Sequence, residues 1–408
     1  MPVMRRLLLI LVCLIAFGAL STCHFSGGAD DSKGAPSLGE RVEQAAADLT
    51  VERSAEEEWL DDQLFALGTG LEGKIGIAVY DPARGRMVHF KGTRLYPQQS
   101  VSKLWVALTA LDMADRGTLD LGETGTVRMR DLAVFHSPIR QNVIAQGSFS
   151  STYADFIKRA LTQSDNTAND TVLRRVGGPE QVRSTLAKKG FADIRFGPGE
   201  RPMQSQIAGL EWRQPYALGD TFFEVRKGVP HDVRKAAFDG YVNDPVDGAT
   251  PVAIAAALAQ LKQGELLSPA NTARFLGWLG EVKSGPNRLK GGLPEGWSIA
   301  HKTGTGQVLD IVEPGQSADQ AGYNDVGILT APDGSIYTVA VMIGRTHVSI
   351  PERMEMMHGV VRAIAGYHEM VIGPGAQGKK LPPETLSKKS SEPAEVRFLT
   401  AQRDSLEA

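Results

Sequence analysis

Apolar and small or polar positions alternate from Lys74 to Tyr80, with Ile75, Ile77 and Val79 on one side and Gly76, Ala78 and Tyr80 on the other. Asp81-Pro82-Ala83-Arg84-Gly85 then supplies a turn, and Met87 to Phe90 returns. That is the pattern of a hairpin. Upstream, Val42, Ala46, Leu49, Trp59, Leu64 and Leu67 recur in a charged stretch from Leu38 to Leu67, which predicts a helix. After the hairpin the pattern changes. Val101, Leu104, Trp105, Val106, Leu108, Leu111 and Met113 cover most of a helix circumference, so the helix opening near Ser100 is packed on both sides and stops at Gly117.

Helical spacing continues over Tyr153–Gln163, Asp170–Val176 and Pro179–Lys189, and Thr250-Pro251 caps and starts a helix running to Leu261. A further helix is expected over Pro269–Leu279. Strands return late, at Trp297–His301, Asp325–Thr330 and Ile336–Ile343, the last two joined by Ala331-Pro332-Asp333-Gly334. A closing helix follows Pro351, with Met354, Met357, Val361 and Ile364 as core filler. Strands at both ends with helices between predict an α/β (α+β) fold: one antiparallel sheet from the N- and C-terminal segments, flanked by helices, with an all-helical subdomain inserted at about 118–290. The cleft between the two parts is the natural site.

Composition narrows the picture. A chain of 408 residues with 42% hydrophobic content has the material for a full core. Its formal charge of −3 provides no basic field, so nucleic acid is not an expected partner. The eight histidines form no His-Glu-x-x-His and no Cys/His cluster, and neither metal nor other cofactor is expected. Both cysteines, Cys13 and Cys23, lie near the start. Met4-Arg5-Arg6 followed by Leu7–Leu20 reads as a charged and then an apolar leader region, so residues 1–22 are expected to be a signal peptide. Residues 23–37 are expected to be a flexible tether, 38–372 the folded domain, and 373–408, rich in Pro, Lys, Ser and Gly, a disordered tail.

The chemistry centres on Ser100-Val101-Ser102-Lys103. Residues three apart on a helix are neighbours, so the Lys103 amine reaches the Ser100 hydroxyl and can take its proton. Free N–H groups at a helix start then face any oxyanion formed there. By composition a Ser-x-x-Lys arises about once in a chain of this length, so it carries weight only in company. Company exists: Ser164-Asp165-Asn166 lies between two helices, and Lys302-Thr303-Gly304 ends a strand.

This ordered set resembles the superfamily of serine β-lactamases and penicillin-binding proteins. Phe135-His136-Ser137-Pro138, Arg174-Arg175-Val176-Gly177-Gly178 and Asp244-Pro245-Val246-Asp247-Gly248-Ala249-Thr250-Pro251 are similar to class A, and the resemblance covers about Lys74–Gly366. It implies that Ser100 is the nucleophile and that Lys103 helps deprotonate it. Ser164 would pass a proton to the departing nitrogen, and Asn166 would contact the substrate amide. Lys302, Thr303 and Gly304 would form the carboxylate-binding strand. The oxyanion would sit between the N–H groups of Ser100 and Thr305, with His136 at the cleft mouth. Leu20-Ser21-Thr22-Cys23 resembles a lipobox, implying either lipidation at Cys23, with attachment to the membrane, or ordinary cleavage. Both routes export the protein to the periplasm, where it would act as a monomer.

Deacylation in the resembled class uses a loop glutamate with an asparagine four positions on. The match here is Glu200, with Gln204 in the asparagine position; Glu211 is a second candidate base. The class also pairs an arginine with an aspartate to close that loop. Asp247 fits the aspartate, Pro198 stands in the arginine position, and Arg195 is a displaced candidate. Residues 205–243 and 308–322 read as insertions bordering the cleft. Arg345 is the candidate for a carboxylate-binding arginine. The activity implied is hydrolysis of a β-lactam amide through an acyl-enzyme on Ser100. The alternatives are a D,D-peptidase or other acyl hydrolase acting on cell-wall peptide, and a penicillin-binding domain without turnover.

Overall fold

The computed structural model describes residues 53–309 and 318–373. The expected leader, Cys23, the tether, the part of the first helix expected before residue 53 and the tail beyond residue 373 lie outside the described residues. In chain order the elements are α1 (Ala55–Gly70), β1 (Lys74–Asp81), β2 (Arg86–Phe90), β3 (Tyr96–Pro97), a 3₁₀ turn Gln99–Ser102, α2 (Lys103–Asp115) and β4 (Thr124–Arg128). Next come α3 (Arg140–Gln146), β5 (Ser148–Thr152), α4 (Tyr153–Thr162), α5 (Asn166–Arg175), α6 (Pro179–Lys188), α7 (Glu200–Ile207), α8 (Thr221–Lys227) and α9 (His231–Asn243). The chain closes with β6 (Gly248–Ala249), α10 (Pro251–Gln263), α11 (Pro269–Gly280), β7 (Ser298–Thr305), β8 (Val308–Leu309), β9 (Asp319–Gln320), β10 (Tyr323–Thr330), β11 (Ile336–Arg345) and α12 (Ile350–Ile372).

The main sheet has five strands in the order β2-β1-β11-β10-β7, every neighbour antiparallel. Its central pairing joins the two ends of the described chain, from Lys74 opposite Arg345 to Tyr80 opposite Thr338. One face carries Ile75, Ile77, Val79, Val339, Val341 and Ile343, packed with Leu60 and Leu64 of α1 and Met357, Val361 and Ile364 of α12. The other carries Val326, Ile328, Ala340 and Met342, in a core shared with α2, α4, α5, α10 and α11. Burial of each such aliphatic side chain contributes about 1.5–3 kcal/mol, which is what fixes the strand register. The alternation in the sequence therefore reports a sheet buried on both faces.

Helix starts follow local chemistry. Ser54 and Glu57 form a capping box at α1, and Ser349 and Glu352 form one at α12. Thr250 caps α10 with Pro251 just inside, as the sequence predicts. The helix expected over Asp170–Val176 starts earlier, at Asn166, because the Asp165 side chain accepts the Ala168 N–H and acts as the cap. Segment 205–243 contains α8 and α9, and of segment 308–322 the described parts pair as β8 and β9.

Candidate active site

The turn that carries Ser100 is built before the helix, not by it. Ser100 lies in the 3₁₀ turn and α2 begins only at Lys103. Gln99 adopts φ 54°, a left-handed conformation that a non-glycine residue takes at a cost of about 1–3 kcal/mol. The Ser102 hydroxyl donates to the Gln99 carbonyl at 2.7 Å, and the Gln99 N–H donates to Asp247 Oδ2 at 2.7 Å. From this turn the spacing of three works as expected, and Lys103 Nζ reaches Ser100 Oγ at 2.7 Å.

Lys103 is fully buried and has two further partners, Asn166 Oδ1 at 2.6 Å and Glu200 Oε1 at 2.9 Å. Glu200 is itself 4% exposed. Its own N–H donates to Asp170 Oδ1 at 3.3 Å, and Gln204 Nε2 donates to its Oε2 at 3.3 Å. Burial and the neighbouring Glu200 charge raise the Asp170 carboxyl above its ordinary range. The matched glutamate is thus joined to Ser100 through Lys103. Glu211 is exposed to solvent and is corrected as a candidate base.

Ser164 is also left-handed, at φ 60°. That kink turns the chain from α4 into α5, where Asp165 caps the helix and Asn166 becomes its first residue. Asn166 Nδ2 donates one hydrogen to Val134 O at 2.9 Å, leaving its Oδ1 on Lys103. His136 is exposed and its carbonyl accepts the Asn166 N–H at 3.0 Å.

The third motif arrives on β7. Lys302 Nζ donates to Ser164 Oγ at 3.1 Å and to the Thr303 carbonyl at 2.9 Å. Burial pushes its amine well below the ordinary lysine range, and the charges of Lys103 and Arg288 add to this. Thr303 shares a hydrogen bond with Ser284 at 2.7 Å. Gly304 is there for steric reasons, since a Cβ would stand 2.3 Å from the Gln98 carbonyl oxygen. Only glycine lets β7 lie against the turn that carries Ser100. The motifs therefore converge on one place.

Two expected pairings are absent. Arg195 bonds Asp244, and Asp247 instead receives the Gln99 N–H and the Tyr241 hydroxyl, the latter at 3.2 Å. The exposed Arg195 guanidinium is held by Asp244 Oδ1 and the Pro245 carbonyl, while Asp247 is buried under the turn and α9. Arg345, the last residue of β11, is committed to Asp319 and Asp239. The guanidinium beside the Lys302–Thr305 strand is Arg288, which sequence reasoning missed. It donates to Gly304 O at 3.0 Å, Asn324 O at 2.7 Å and Thr305 Oγ1 at 2.5 Å, and lies 3.8 Å over the Tyr323 ring. Arg288 comes from an irregular stretch before β7, with no periodic signal to single it out. Tyr241, Gln99 and Gln307 were missed because their partners are set by tertiary contact and no local spacing marks them. Among the described residues, no cluster of three or more His, Cys, Asp or Glu is placed to hold a metal ion.

The profile of the beta-lactamase enzyme family matches residues 60–367. The chain belongs to that family. Among its relatives in the family is the extended-spectrum beta-lactamase PER-1 of Pseudomonas aeruginosa, 28% identical over 296 residues that make up 72% of this chain and 82% of that protein. Beta-lactamase VEB-1 of Pseudomonas aeruginosa is 25% identical over 274 residues, 67% of this chain and 78% of that one. An ancestral class A beta-lactamase, GNCA, aligns in structure with TM-score 0.58 and 27% identity, covering 75% of this chain and 99% of that chain. The beta-lactamase of Chitinophaga pinensis DSM 2588 aligns with TM-score 0.60 over 77% of this chain and 100% of that one; at 23% identity it speaks for the fold alone.

Proposed function

We propose that this family member hydrolyses the β-lactam amide through a covalent acyl-enzyme on Ser100. The observation that carries the reading is the buried Lys103 amine joined at once to Ser100 Oγ, Asn166 Oδ1 and Glu200 Oε1. A proton leaving Ser100 is taken up through Nζ, and the contact of Nζ with Glu200 gives a path back to Ser100 in the second step. Ser100 Oγ bonds the lactam carbonyl carbon, and the oxyanion is held by the N–H groups of Ser100 and Thr305. Each such donor is worth about two to three orders of magnitude in rate. As the carbon–nitrogen bond breaks, the nitrogen takes the Ser164 proton and the proton that left Ser100 replaces it, so Ser164 is again a hydroxyl and Glu200 a carboxylate, with Lys302 Nζ 3.1 Å from Ser164 Oγ.

In the second step Glu200 takes a proton from water, the water oxygen bonds the acyl carbon, and Ser100 leaves and recovers its proton. Gln204 Nε2, 3.3 Å from Glu200 Oε2, holds the carboxylate in place beside that water. Lys302, Thr303 and Arg288 supply the charge and hydroxyls for the substrate carboxylate, while Asn166 faces the side-chain amide and His136 the cleft mouth. The reading includes export to the periplasm through the leader of residues 1–22, acylation of Cys23, and action as a monomer. Its support for export is the charged-then-apolar pattern of residues 4–20 and the Leu20–Cys23 tetrapeptide. Membrane fractionation of a Cys23→Ser variant tests the anchor: retention in the membrane at the parental level overturns it.

Intact-mass spectrometry over time with benzylpenicillin tests the chemistry. A transient adduct that clears as product accumulates is expected. A permanent adduct with negligible release would transfer the assignment to a D,D-peptidase or a penicillin-binding domain. No adduct would end the covalent reading.

A further inference from the structure

Segment 205–243 lies outside every motif, yet its last turn reaches the nucleophile. Tyr241 of α9 is buried, and its hydroxyl receives Gln99 Nε2 at 2.5 Å and donates to Asp247 Oδ2 at 3.2 Å. Gln99 immediately precedes Ser100. Its other amide atom, Oε1, accepts Gln204 Nε2 at 2.9 Å, and the same Nε2 reaches Glu200 Oε2 at 3.3 Å. One chain of hydrogen bonds therefore runs Asp247–Tyr241–Gln99–Gln204–Glu200. Gln307 closes its far end by donating to Gln204 Oε1 at 3.0 Å and to the Gln204 carbonyl at 2.7 Å.

The chain is held rigid from behind. Phe238, Tyr241 and Val242 of α9 pack with Met203 and Ile207 of α7 and with Leu309 and Ala321 in a small core of their own. Lys74 at the start of β1 ties the end of α9 to the main sheet, donating to Val242 O at 3.3 Å and Asn243 Oδ1 at 2.8 Å. Burial and Asp247 push the Tyr241 phenol well above its ordinary range, so it remains a hydroxyl able to donate. A buried amide such as that of Gln99 turns to whichever partners remain when one is lost.

We propose that Tyr241 is a positioning residue for acyl-enzyme hydrolysis, acting through Gln99 to fix the Gln204 amide beside Glu200. This rests on the reading of Glu200 as the base. Acylation depends on Ser100, Lys103, Ser164 and Lys302, none of which Tyr241 touches. Hydrolysis depends on Gln204 and Glu200, which lie at the end of the chain it anchors. The segment is a brace for the second chemical step.

The test separates the two steps. Single-turnover acylation and release are followed by intact-mass spectrometry with benzylpenicillin for the parent, Tyr241→Phe, Gln99→Met, their double variant and Glu200→Gln. Tyr241→Phe keeps the ring and its packing, so its acylation rate stays within about twofold and its release rate falls about tenfold or more. Gln99→Met lowers release to a similar extent, and the double variant is no slower than the slower single one. Equal loss in both steps, no loss in release, or multiplying effects in the double variant would overturn the role of Tyr241. Release at the parental rate from Glu200→Gln would instead overturn the base itself, and the role of Tyr241 with it.

Discussion

Lys103 Nζ stands 2.9 Å from Glu200 Oε1, with the lysine fully buried and the glutamate nearly so. Each is the other's charge partner in a place where an unpaired charge is costly. Lys103→Ala removes the proton path from Ser100 and leaves Glu200 without its cation. Stability falls by about 3–5 kcal/mol in chemical denaturation, and adduct formation with benzylpenicillin slows by at least about a hundredfold.

Glu200→Gln keeps the shape and removes the base. The acyl-enzyme then accumulates, and steady turnover of a chromogenic cephalosporin drops by about two to four orders of magnitude. Burst kinetics read this directly, because the first turnover remains while the following ones stall.

Gly304→Ala places a carbon 2.3 Å from the Gln98 carbonyl oxygen. Strand β7 must move off the turn that carries Ser100, taking Lys302 with it. A displacement of about 1 Å costs roughly a hundredfold in rate, and overpacking lowers stability by about 1–3 kcal/mol. Acylation rate and thermal melting both report the change.

Arg288→Ala empties the position against Thr305 and Gly304. For a substrate bearing a carboxylate, KM rises about tenfold or more while kcat changes little, the pattern of lost ground-state binding. The orphaned carbonyls of Gly304 and Asn324 also lower the melting temperature. Arg345→Ala, whose guanidinium is held by Asp319 and Asp239, leaves KM at the parental value.

Burial pushes the Asp247 carboxyl up to about 7 from 3.8. The folded state therefore holds this proton more tightly than the unfolded chain, so the contribution of Asp247 to stability is complete below about 4 and declines as pH rises towards 7. Asp247→Asn keeps an acceptor for Gln99 and Tyr241 and removes the ionisation. Between pH 4.5 and 7.5, denaturation of the parent loses more stability than that of the variant, by more than about 1 kcal/mol.

The sheet and most helices were legible in the sequence because each depends on a local period: Ile75, Ile77 and Val79 alternate, and Thr250-Pro251 announces a start. The motifs were legible as short words whose residues are fixed by neighbouring backbone, as with Asp165 capping the helix that presents Asn166. What could not be read were partners chosen in three dimensions. Arg345 had the right charge after the right strand, but Asp319 and Asp239 hold it. Arg288 and Tyr241 meet the site from irregular or inserted chain, where no spacing links them to Thr305 or Gln99.

The strand pairing of Lys74 with Arg345 has a consequence for biosynthesis. The first hairpin waits for nearly the whole chain before its neighbour exists, which is a slow, high-contact-order assembly. Nascent polypeptide ending before residue 298 already contains Ser100, Lys103 and Ser164 but has neither Lys302 nor a sheet to hold it. Activity therefore switches on only after β7 and β11 have been made, and a product truncated before Lys302 is inert although it carries Ser100, Lys103 and Ser164.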